Sequence, residues 1–88
     1  MKLTDLIQNI ENVDQEAIIF QEDIQNQNSD IILSYAEEGD NGMKEQGGRK
    51  YFYLIEVFLA KEFLDDWISS INYEPSIKQM AKRLQLLS

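Results

Sequence analysis

Apolar residues along this chain keep two different periods, and each switch between them marks a change of structure. Leu3, Leu6, Ile7, Ile10 and Val13 recur at helical steps, which predicts an opening helix. Thr4 stands where an N-cap is expected and Asp5 falls in the first turn, where a carboxylate complements the helix dipole. Ala17-Ile18-Ile19-Phe20 and Ile31 to Ala36 are short apolar runs rich in β-branched residues, so two strands are expected there. Between them Gln21 to Ser29 is polar and amide-rich, with Ile24 as its single apolar anchor, the composition of a surface loop.

The segment Tyr51 to Leu59 predicts a buried central strand. Tyr51, Tyr53, Ile55, Val57 and Leu59 form one apolar face, and Phe52, Leu54 and Phe58 form the other, interrupted by Glu56. Such a strand is either covered on both sides, or lies under a helix on one face and a partner on the other. From Ala60 the period becomes helical: Ala60, Phe63, Leu64, Trp67, Ile68 and Ile71 share an arc of about 140°. Pro75 suits the first turn of a closing helix marked by Ile77, Met80, Ala81, Leu84 and Leu87, while Leu86 faces away from that stripe, as in a frayed last turn. Gly39, Gly42, Gly47 and Gly48 all lie within residues 37–49, a connection expected to be either functional or disordered. The expected fold is α+β: one domain over residues 1–88, with a small antiparallel sheet of about three strands, an N-terminal helix and two C-terminal helices.

Charge changes this picture by halves. The formal net charge is -8, yet residues 1–40 hold ten acids against one base, Lys2, whereas residues 41–88 hold seven bases and six acids. Such a field repels nucleic acid and membrane surfaces and attracts a basic protein; its blander reading is solubility. The chain has no cysteine and no histidine, which removes disulfides, thiolate metal sites and the imidazole-based catalytic systems. No apolar run reaches the roughly 20 residues needed to span a bilayer, and the start Met1 to Asp5 lacks the apolar core of a signal peptide, so the expected location is cytoplasmic.

Candidate chemistry is sparse. The pairs Glu22-Asp23, Glu37-Glu38 and Asp65-Asp66 are adjacent in sequence, and neighbours on a helix or strand do not converge, so each reads as solvated surface. Asp40-Asn41-Gly42 lacks the alternating ligands and closing glutamate of a calcium loop, and Gly47-Gly48 precedes a strand instead of opening a helix as phosphate loops do. Neither a cofactor nor a metal is expected. Glu56 is either at an edge, paired with a base, or a buried functional acid; Trp67 is either core or an anchor for a partner.

In its size, its acidity and its lack of histidine and of a signal, the chain resembles bacterial immunity proteins that neutralise toxins, many of them basic nucleases. It departs from the best-known acidic members, which are all-helical bundles. The stretch from Glu56 to Trp67 also resembles a motif of small bacterial domains, with no activity attached to it. The resemblance implies a non-enzymatic protein-binding module with a basic protein partner. Glu22, Asp23, Glu37, Glu38, Asp40 and Trp67 are the expected partner-binding residues. The alternative is a self-associating adaptor, for which a homodimer is expected.

Overall fold

The computed structural model describes residues 1–26, 28–36 and 42–87. Helix α1 (Leu3–Gln8) and a 3-10 turn (Ile10–Asn12) lead into strand β1 (Ile18–Gln21), followed by β2 (Ile31–Ser34), β3 (Met43–Gln46), β4 (Arg49–Glu56), helix α2 (Val57–Ser70) and helix α3 (Ile77–Gln85). The fold is therefore α+β, with an antiparallel sheet of four strands in the order β2-β1-β4-β3.

The fourth strand, β3, falls inside the glycine-bearing connection, whose composition predicts a loop. Gly47 and Gly48 adopt φ of 61° and 77°, the pair of positive values that a two-residue type I′ hairpin turn requires, and they fold Met43–Gln46 back on Arg49–Phe52. The opening helix is also shorter than its apolar period. Lys2, not Thr4, occupies the N-cap, and its backbone N–H donates to the Asp5 carboxylate at 3.1 Å. The reason is tertiary: the N–H of Ile31 donates to the Met1 carbonyl at 2.7 Å, which fixes Met1 and Lys2 along the edge of β2 and starts the helix directly afterwards.

Strand β4 ends earlier than its composition suggests, because Val57, Phe58 and Leu59 belong to α2. The orphan donors of that helix start are met from outside: Val57 N–H donates to the Ala17 carbonyl at 2.9 Å and Phe58 N–H to that of Gln15 at 3.2 Å. Strict alternation along β4 is broken as well. Ile19 pairs with Ile55 but Phe20 pairs with Tyr53, so Leu54 is the extra residue of a β-bulge. Leu54 is buried in the main cluster and Ile55 packs against the same cluster, so the strand does not carry two equal apolar faces.

The core lies between the sheet and the helices. Leu3, Leu6 and Ile7 of α1, Val57, Ala60 and Leu64 of α2, and Ala81 and Leu84 of α3 close over Ala17, Ile19, Ile31 and Leu54. At roughly 1.5–3 kcal/mol per buried large aliphatic side chain, this cluster is the main stabilising term. Phe20 and Tyr51 are buried outside that cluster. The Tyr53 ring meets that of Phe20 edge-on at 6.2 Å, and the Lys44 ammonium stands 5.9 Å from the Phe20 ring centre. Helix α3 begins with a capping box, Ser76 Oγ accepting from Gln79 N–H and Gln79 Oε1 accepting from Ser76 N–H, which places Pro75 one residue before the cap. Among the described residues no helix is long and apolar enough to cross a membrane.

Candidate functional site

A groove opens at the end of the sheet where β1 delivers Gln21. The polar sequence around that residue predicts a surface loop, yet Gln21 is the last of β1 and has 0% of its surface exposed. Its amide is used at both ends: Oε1 accepts from Gln85 Nε2 on α3 at 2.8 Å, and Nε2 donates to the Asn26 carbonyl at 3.3 Å. A buried glutamine therefore holds the loop after β1 against the end of α3.

The loop is pinned by its own residues too. Ser29, also buried, accepts the Asp23 N–H through Oγ at 3.1 Å, and the same oxygen lies 2.9 Å from the Asp23 carbonyl and 2.8 Å from that of Asn26. Asp23 Oδ1 accepts from the Gln25 N–H at 2.9 Å, the turn that aspartate forms readily. Two adjoining hollows result. One, of about 320 Å³, is lined by Ile24, Gln25, Lys82, Gln85 and Leu86; the other, of about 260 Å³, by Glu22, Asp23, Ile24, Gln25 and Phe52. Ile24 serves both, half-buried against the core as the anchor its position suggested.

Phe52 is 42% exposed in this groove and Leu86 is 68% exposed at its far end, capping α3 with its N–H on the Lys82 carbonyl. Acids stand on one lip and Lys82 on the other. Glu22 is 3.3 Å from the Arg49 guanidinium, which also reaches Asp30 at 3.5 Å, while Lys2 meets Asp30 at 2.8 Å. The hydrogen bond and charge of Lys2, with Arg49 behind them, hold the Asp30 carboxyl below its ordinary value. These pairs lie at the surface, where solvent screens them and each contributes little.

The structure thus brings Glu22 and Asp23 together at the groove and leaves Trp67 elsewhere. Trp67 is half-buried on α2 against the core, with the Arg83 guanidinium 5.3 Å from its ring centre and 5.9 Å from that of Phe63. Glu37, Glu38 and Asp40 lie outside the described residues. Glu56 is paired with no base among the described residues. It ends β4 opposite Ile18 of β1, beyond the Arg49–Phe52 stretch that β3 pairs, and accepts the Tyr53 hydroxyl at 2.6 Å, a bond that together with partial burial and the carboxylate charge pushes the Tyr53 phenol up to about 12. Sequence reasoning missed Phe52 and Leu86. Their signal was present in Leu86 as an apolar residue off its helix stripe and in Phe52 as a large side chain near a strand end. No protein family, curated protein or solved structure matches this chain.

Proposed function

We propose that this chain is a non-enzymatic protein-binding module, an acidic immunity or inhibitor protein that holds a basic bacterial toxin. The observation that carries the reading is the groove itself: Phe52, Ile24 and Leu86 offer apolar surface beside the Glu22 and Asp23 carboxylates. That pairing suits a partner side chain with an apolar body and a neighbouring cationic head. The net charge of -8 adds long-range attraction for a basic partner. In this reading the chain works in the cytoplasm of the producing cell.

The test is protection. Cells expressing the toxic product of the neighbouring gene survive when this chain is co-expressed, and the E22K/D23K and Phe52→Ser variants lose that protection while remaining folded. A neighbouring gene without a toxic product, together with no protection, ends the reading.

Self-association is a second reading, favoured by β3, an edge strand whose outer side pairs with no strand among the described residues. The molecular mass in solution decides it, a stable dimer supporting the adaptor and a monomer at high concentration removing it.

A further inference from the structure

Helix α2 presents a second surface, at the opposite end of β1 from the groove. At 100° per residue, Asp65, Phe58, Ser69, Glu62, Asp66, Leu59 and Ser70 occupy one outward arc of about 140°, with Glu62 between the two aspartates. Phe58 is 47% exposed and Leu59 37% exposed on the first turn. They are not held out by a loose helix end, because the backbone N–H groups of Val57 and Phe58 are bound to the Ala17 and Gln15 carbonyls.

The charges of this face are uncompensated. Lys61, the one base of the helix, turns aside to Glu11 at 3.2 Å, and among the described residues no ion pair reaches Glu62, Asp65 or Asp66. Glu62 faces Asp65 at i,i+3 and Asp66 at i,i+4, both repulsive spacings on a helix. Like charges at these spacings, beside two large exposed apolar side chains, break a local rule in the way binding surfaces do.

We propose that the outward face of α2 is a docking surface for a cationic amphipathic segment of another protein, Phe58 and Leu59 taking its apolar side chains and Glu62, Asp65 and Asp66 its lysines or arginines. Charge selects this occupant. A second copy sets three carboxylates against three, and anionic lipid or nucleic acid meets the same repulsion. This surface shares no residue with the groove, and its test is independent of the toxin reading.

The test is a two-dimensional 15N NMR titration of the full chain with a helical peptide of about 14 residues built from leucine and lysine. Binding shifts the amide signals of Phe58, Leu59, Glu62 and Asp66, and affinity falls at least about tenfold between about 50 and about 500 mM salt. The Asp66→Lys variant loses roughly tenfold in affinity while its unfolding midpoint rises, since the introduced ammonium forms a favourable i,i+4 pair with Glu62; a merely structural role for Asp66 lacks that opposition of signs. Phe58→Ser weakens binding without altering its salt dependence, and E22K/D23K leaves binding unchanged. The proposal is overturned by shifts centred on Ile24, Phe52 and Leu86, by equal binding of a leucine-glutamate peptide, or by an unaffected Asp66→Lys variant. Shifts of the α2 signals on diluting the protein alone, or on adding phosphatidylglycerol vesicles, overturn it equally.

Discussion

Gln21 gives the account a stability prediction that separates hydrogen bonding from packing. Replacing it with Met keeps the length of a side chain with 0% exposure but deletes both amide bonds, the 2.8 Å one to Gln85 and the 3.3 Å one to Asn26. At about 1 kcal/mol for the short bond and about half that for the long one, Gln21→Met costs about 1–2 kcal/mol. The Asn26 carbonyl is not orphaned, because Ser29 N–H donates to it at 3.0 Å. Gln21→Ala adds the loss of buried methylenes and a residual cavity, for a total of about 2–4 kcal/mol. With a urea dependence of about 1 kcal/mol per M for a domain of this size, the midpoints fall by about 1–2 M and about 2–4 M. Hydrogen exchange adds the site-specific readout: the Gln25 and Asn26 amides lose protection in both variants, because the loop is no longer tied to α3. Two midpoints within about 0.5 M of the wild type, with that protection intact, refute the reasoning.

Three further outcomes follow from named contacts. The Tyr53 phenol, held protonated by Glu56, contributes stability that is complete below its ordinary value of 10.0 and is lost as pH climbs toward about 12; phenolate absorbance at pH 11 increases in Glu56→Gln, and an unchanged titration sinks the assignment. Gly48→Ala costs about 1 kcal/mol at its φ of 77°, whereas Gly47→Asn, which restores the favoured turn dipeptide, stays within about 0.5 kcal/mol in chemical denaturation. Arg83→Met lifts the guanidinium from Trp67 and Phe63, costing about 0.5–1 kcal/mol and shifting the emission of the chain's sole tryptophan; an unmoved spectrum contradicts that contact.

Much of the architecture was legible where one physical signal dominated. The arc of Ala60, Leu64 and Trp67 located α2, and the β-branched runs at Ile18 and Ile31 located β1 and β2, because burial of one stripe or one face leaves a period in the sequence. Strand β3 was hidden because Met43-Lys44-Glu45-Gln46 is mostly exposed and carries no apolar alternation; its pairing comes from the turn at Gly47-Gly48. The end of β4 was misplaced because Val57, Phe58 and Leu59 have strand-forming side chains, yet the carbonyls of Gln15 and Ala17 receive a helix start there. Likewise the bulge at Leu54 cannot be read from an alternation that it interrupts.

For the site, charge pointed to Glu22 and Asp23 but said nothing of what lies beside them. The groove is a product of long-range packing, Gln21 joining residues 64 positions apart to set the loop against α3. No local pattern encodes such a contact. Asp65 and Asp66 read in sequence as solvated surface, and only the structure shows that Glu62, Phe58 and Leu59 share their face.

The most direct test of the central idea, that this protein acts through its exterior on a cationic partner, is the association rate with the purified toxic product of the neighbouring gene, followed from low to high salt. The account predicts a rate that falls steeply with ionic strength, and a slower rate with a flatter salt dependence for E22K/D23K. A rate indifferent to salt and identical in the two proteins contradicts it.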